Sequence, residues 1–245
     1  MSCNLDSFIR SSKPAPKALA TSQEVRDRGS IFVANVFAAS SPDEAHRATH
    51  HLKHVAHGGR PATHEIAAWR CMVLKPGKSG LGGPDDFEVV SGADDDGEKW
   101  AGARVLKVMQ AESVIDAVVV VSRWYGGEML GPARFDHIET CAREVCRTFR
   151  IKDDVATCVA TLTSLDDILA SLRAELASIT AARSTSEPAP STSVGRKKPA
   201  ANTYAALEES LDVAKAKRLI TARENSIKSV KQALQKARAQ DAEQG

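Results

Sequence analysis

Apolar and polar positions alternate along the first 150 residues in a way that specifies short elements of both kinds. Ser30-Ile31-Phe32-Val33-Ala34-Asn35-Val36-Phe37-Ala38 is a β-rich run, and the Ser41-Pro42-Asp43-Glu44 that follows sets an N-cap, a first-turn proline and a capping-box glutamate in order. A helix is predicted from there to Gly58-Gly59. Trp69, Cys71 and Val73 alternate with more polar neighbours as a strand, and Phe87 to Ser91 forms another. Ala117 to Val121 is apolar without interruption, which requires cover on both faces and so a central strand. Ala101, Val105, Val108 and Met109 fall at helical spacing within Trp100 to Ala111. Phe135, Ile138, Ala142, Val145 and Phe149 do the same, giving the order β, α, β, β, α, β, α.

Beyond residue 150 the pattern changes. Ten of the eleven aromatic residues lie at or before Phe149, and thirteen of the fifteen glycines at or before Gly131, so the two parts have different architectures. A helix is expected to begin near Ser164, with Asp167 as its capping partner and Leu165, Ile168, Leu172, Leu176 and Ile179 as its stripe. In a later helix Val213, Ile220, Ile227 and Leu234 recur every seven residues, with Ala216, Val230 and Ala237 in the alternate seam and Arg223 interrupting it. A hairpin of these two helices, or self-association through a coiled coil, is favoured over a nucleic-acid tail, because an apolar seam has no use in phosphate binding. Between Arg196 and Arg238, however, eleven Lys or Arg against four Asp or Glu leave 11 − 4 = +7. The expected organisation is a disordered segment over 1–23, an α/β domain over 24–150, a helix over 151–183, a disordered linker over 184–202 and a basic coiled-coil-like helix over 203–240.

Composition narrows the class. Overall, 33 basic and 31 acidic residues leave 33 − 31 = +2, which names no partner, and no uninterrupted apolar run approaches the roughly 18 residues of a spanning helix, so no membrane role is expected. Five scattered cysteines without CxxC spacing suggest reduced thiols and a cytoplasmic location.

Several motifs fail on inspection. Gly77-Lys78-Ser79 ends like a P-loop, but the first glycine would fall at Met72, and His64-Glu65 has Ala68 where a zincin has its second histidine. His46, His50, His54 and His57 stack on one helix face, which is read as solvated because no Cys or acidic residue joins it, and no metal or cofactor is expected. Asp94-Asp95-Asp96-Gly97-Glu98 stands where capping of the next helix accounts for its carboxylates. The segment from Ser122 to Phe135 is the sharpest. It leaves a buried strand and enters a helix, with Gly126, Gly127 and Gly131 permitting close backbone approach and Arg123 and Arg134 offering forked donors. An anion or partner site and a purely structural turn, with Trp124 and Tyr125 as packing, account for it equally well.

Arg28-x-Ser30-x-Phe32, His64, Asp95-Asp96-Gly97-Glu98 with Ala101-Gly102, and above all Val121-Ser122-Arg123-Trp124-Tyr125-Gly126-Gly127 with Leu130-Gly131 and Arg134-Phe135 resemble the IMPACT family over about residues 24–149. The resemblance implies an α/β domain of the two-layer α+β kind, like the second domain of a small-subunit ribosomal protein. It also implies translational control under amino-acid starvation. The family's members bind the large ribosome-associated activator of the kinase that phosphorylates initiation factor two α, and no catalytic residues come with the resemblance. With fewer than 30 residues ahead of Ser30, the RWD domain of animal and fungal members is not expected here.

Three functions compete on this reading. One is a non-enzymatic regulator that binds a protein through Arg123, Trp124, Tyr125, Gly126, Gly127, Gly131 and Arg134, with His64, Asp96 and Glu98 beside them. The second is an RNA- or ribosome-binding protein using the same loop and the basic helix. The third is an enzyme whose site would need His64, Asp96, Glu98 and Arg123 to converge. Arg123→Ala is expected to weaken partner capture while barely changing melting.

Overall fold

The computed structural model describes residues 14–183 and 204–242. The chain forms two compact units that part between Arg150 and Ile151.

The first unit is an antiparallel sheet with helices on both faces. Its strands are β1 (Ala20–Thr21), β2 (Val25–Asp27), β3 (Ser30–Ala38), β4 (His64–Leu74), β5 (Phe87–Asp94) and β6 (Ala117–Trp124). The order is β1-β3-β6-β4-β5, with β2 also paired to β3, so the apolar β6 is indeed central. Side chains alternate between two cores, as the period of two along a strand requires. Phe32, Ala34, Val36, Ile66, Ala68, Val119 and Val121 face α2 (Ala101–Ala111) and the first turns of α3 (Ala133–Arg183), where they meet Val105, Met109, Ile138 and Val145. Phe37, Ala67, Cys71, Val118 and Val120 face Ala45, Ala48 and Leu52 on α1 (Pro42–His51) and the π-helical turn that continues it. The expected mixed α/β class is present, and α1 adds a layer that a two-layer arrangement does not have.

α1 starts as its sequence predicts, since Ser41 Oγ accepts from the Glu44 amide and Pro42 occupies the first turn. Its histidine face is less solvated than expected. His46 meets the Trp69 ring edge-on at 4.6 Å between centroids, and the half-buried His57 Nδ1 donates to Glu65 at 2.7 Å. The expected disorder over 1–23 is corrected at its end, where β1 pairs Ala20 with Val36 and Thr21 with Asn35; residues 1–13 lie outside the described residues. β2 reaches β3 through Arg28-Gly29, both at positive φ (44° and 75°), as a two-residue hairpin turn demands. An Arg-Gly pair is a weak signal for such a turn, so sequence periodicity misses both short strands.

Burial drives the thiols of Cys71 and Cys146 up to about 11 and 12, and raises that of Cys141 too. All four described cysteines are buried, Cys158 included. Because the thiolate is the reactive form, a disulfide reagent at neutral pH should modify none of these four in the native chain and all five cysteines once it is denatured. Rapid native labelling of Cys71 or Cys146, located by peptide mass, would show that these cores open freely.

In the second unit the remainder of α3 lies beside α4 (Ala205–Ser210) and α5 (Val213–Ala242). No new helix begins at Ser164: the hydroxyl of Ser164 donates to the Ala160 carbonyl inside one continuous helix. The stripe also differs from the one predicted, because Ile168 is exposed whereas Leu162 and Leu169 are buried. Val155, Cys158, Leu162, Leu165, Leu169, Leu172, Leu176 and Ile179 step by three and four, as do Val213, Ala216, Ile220, Arg223, Ile227, Val230, Leu234 and Ala237.

The two helices are not a hairpin. Arg223 reaches Asp166 at 2.5 Å and Arg238 reaches Glu175, so partner numbers rise together and α5 runs parallel to α3. Arg223, which breaks the apolar seam, is neutralised there by Asp166, whose second oxygen accepts from Tyr204. By length and composition α3 could cross a membrane, a property the sequence reading did not anticipate. Part of that apolar length is the seam just described, with Cys158 and Leu162 packed on Leu207 and Ala216. The predicted linker at 184–202 lies outside the described residues.

Candidate functional site

Strand register builds the site. Arg123 on β6 pairs with Phe32 on β3 and with His64 on β4, so these three residues form one rung across the middle of the sheet, on the face toward α3. The next residue necessarily points the other way. Trp124 accordingly lies on the α1 face, where Nε1 donates to the Arg60 carbonyl at 3.1 Å, the His57 ring lies at 5.1 Å and the Arg60 guanidinium at 5.4 Å. Neighbours in the most conspicuous string of the sequence therefore serve opposite faces, and Trp124 takes no part in the site.

The acidic turn between β5 and α2 divides its carboxylates among three tasks. Asp95 caps α2, accepting from the amides of Trp100 at 2.9 Å and Gly102 at 2.8 Å. Asp96 accepts from Lys53 Nζ and from the Glu65 amide, both at 2.7 Å, while its carbonyl accepts from His64 Nδ1 at 2.8 Å. Of these carboxylates, only that of Glu98 reaches the rung. The capping explanation thus holds for Asp95 and fails for Glu98.

Glu98 is 6% exposed and lies between two arginines, accepting from Arg123 and, at 2.6 Å, from Arg134 Nε on the first turn of α3. Because a carbonyl oxygen can only accept, His64 carries its proton on Nδ1. Its Nε2 then faces Glu98 at 3.8 Å. Arg123, also 6% exposed, has the Phe32 ring at 5.5 Å and the Tyr125 ring at 5.7 Å from its guanidinium carbon. Its Nε is the one buried side-chain nitrogen or oxygen among the described residues without a hydrogen-bond partner. An unsatisfied buried donor costs about 1–3 kcal/mol, so the site holds a donor in want of an acceptor.

These groups form the floor of a cavity of about 320 Å³. Thr63, Tyr125, Met129 and Leu130 complete its wall, and Met129 is 80% exposed at the lip. The loop above it is fixed by contact with the β2–β3 turn. The Gly126 amide donates to Ser30 Oγ at 3.1 Å, and a Cβ on Gly126 would stand 2.0 Å from the Gly29 carbonyl carbon. Gly127 and Gly131 adopt φ of +88° and +57°, and the Gly131 carbonyl accepts from Arg134 at 2.5 Å.

The predicted residues therefore separate. His64, Glu98, Arg123, Tyr125, Gly131 and Arg134 converge on the cavity; Gly126 and Gly127 shape its loop; Trp124 and the Asp96 carboxylate lie elsewhere. Three of the four residues an enzyme would have needed come together, though both guanidiniums already engage the Glu98 oxygens. Sequence reading did not place Thr63, Met129 or Leu130 in the site: Leu130 stood in the family-like string without a role, and Thr63 and Met129 were signalled only by adjacency to His64 and to the glycines. It also missed the buried Glu65, which accepts from Ser122 Oγ at 2.5 Å as well as from His57. The idea that Arg123→Ala would spare stability is corrected, since a buried side chain paired to a buried carboxylate cannot be removed without cost.

Residues 28–146 match the family model of the Impact N-terminal domain. This part of the chain belongs to the IMPACT family. The chain is 34% identical over 145 residues to Protein IMPACT of Rattus norvegicus, covering 56% of this chain and 41% of that protein. It is 37% identical over 124 residues to Protein IMPACT of Mus musculus, covering 49% and 35%. The chain thus spans well under half the length of these relatives. The solved structure of the two-domain translational regulator Yih1 is 30% identical, with 58% of this chain and 56% of that one covered and a TM-score of 0.34. The cavity, the two arginines and the Gly126 loop all fall inside the IMPACT domain.

Proposed function

We propose that this protein is a non-enzymatic regulator of translation in the response to amino-acid starvation, acting in the cytoplasm. On this reading it binds the ribosome-associated activator of the kinase that phosphorylates initiation factor two α and so keeps that activator from the kinase. The carrying observation is that the string most specific to the IMPACT family builds an open, arginine-floored cavity whose lip, Tyr125 and Met129, is exposed rather than packed. Aromatic and Met side chains beside Arg are typical anchors of protein interfaces.

RNA or ribosome binding is the second reading, favoured by α5. Lys215, Lys217, Arg218, Lys228, Lys231 and Lys236 are all exposed on it, whereas Arg223 and Arg238 are engaged with α3 carboxylates. Affinity capture of the full chain from its own cells, with and without nuclease, separates the two. The activator should co-purify in both conditions, and Tyr125→Ala should reduce its recovery several-fold without lowering the melting temperature. Recovery of ribosomal RNA alone, lost with nuclease and falling steeply with salt, would favour the second reading.

A further inference from the structure

We infer that the Arg123–Arg134 cavity is a receptor for one acidic side chain, a Glu or Asp carried within a peptide next to an aliphatic residue. The inference rests on the protein-binding reading above and specifies the chemistry of the partner segment.

Charge comes first. Two guanidiniums face one carboxylate, so the side chains of Arg123, Arg134 and Glu98 together hold +2 − 1 = +1. A carboxylate of charge −1 balances this surplus. A phosphate monoester, at −1.5 to −2 near neutral pH, would set uncompensated negative charge beside the buried Glu98. A neutral occupant would leave the surplus standing.

The second argument is the orphan donor. Arg123 Nε lacks an acceptor, while its neighbour nitrogen is already committed to Glu98. An incoming carboxylate would meet the Arg123 guanidinium where it lines the cavity, and its planar pair of oxygens suits the guanidinium fork. Size is the third. A cavity of about 320 Å³ takes a side chain with its neighbour and is much too small for a helix. Tyr125 and Met129 at the lip would flank the methylene stem and the adjacent aliphatic residue.

The test uses the full chain with methyl-labelled methionine and labelled arginine, titrated by NMR with acetyl-Leu-Glu-Leu-amide. Comparison ligands are acetyl-Leu-Gln-Leu-amide, acetyl-Leu-Leu-Leu with a free carboxyl terminus, and inorganic phosphate. The Glu peptide should shift the Met129 methyl and the arginine Nε–H signals saturably, with Kd of roughly 1 mM and at least about tenfold preference over the Gln peptide. Met129→Glu, at an 80% exposed position where folding is not at risk, should weaken that binding about tenfold by like-charge repulsion. Equal shifts from the Glu and Gln peptides, no shift at all, tighter binding of phosphate or of the free terminus, or indifference to Met129→Glu would each overturn the inference. If the Glu preference is lost while the activator is still captured, the proposed function stands without this site. If the preference holds and no activator is captured, the site stands and that function falls.

Discussion

Glu98→Ala should destabilise the IMPACT domain by about 3–5 kcal/mol, because it leaves the guanidinium of Arg123 buried without a counter-charge. Arg123 is 6% exposed and fixed on a central strand, so it cannot swing into water; Arg134, on the first turn of α3, is a quarter exposed and can. The loss should therefore follow Arg123 alone. Adding Arg123→Met to Glu98→Ala removes the stranded charge, and the double variant should regain much of what the single one loses. Urea unfolding read at constant m-value measures both. A loss below about 1 kcal/mol for Glu98→Ala would mean that water already screens the cluster, as it does for exposed ion pairs.

The same residues show what a sequence can reveal. The existence and type of β3, β6 and the start of α3 were legible, because Phe32 to Phe37, Ala117 to Val121 and the spacing from Phe135 to Phe149 carry unmixed periodicities, whereas the continuity of α3 through Ser164 was not. Arg123, Glu98 and His64 were legible as candidates because their residue types stand out near glycines. What could not be read was which side chains face one another. That depends on register: Phe32, Arg123 and His64 share a rung only because β3 and β4 both pair with β6, and no local pattern encodes that coincidence. It also decides that Trp124, beside Arg123 in sequence, belongs to the opposite face. The direction of α5 was hidden for a similar reason. A heptad seam specifies a partner helix without specifying parallel or antiparallel, and the twenty residues between Arg183 and Tyr204 are enough chain for either direction.

Gly126→Ala should be costly in a way Gly127→Ala is not, although the two glycines are adjacent. At Gly126 a Cβ would stand 2.0 Å from the Gly29 carbonyl carbon and 2.3 Å from the Ser30 nitrogen. These are backbone atoms of the β2–β3 hairpin, which can yield only by parting from the loop, so a loss of about 3 kcal/mol is expected. At Gly127 a Cβ would meet nothing within 4 Å, and its cost is the φ of +88°, roughly 1–2 kcal/mol. The contact also carries Tyr125 and Met129, so Gly126→Ala should displace the lip of the cavity and, on the proposed function, lower activator capture even below its melting temperature. Gly127→Ala should retain more of that capture. Calorimetric melting of both variants, with capture measured well below each transition, separates the effects. Equal melting losses for the two would show that the hairpin and loop slide apart freely, and that the close approach at Gly126 does not position the site.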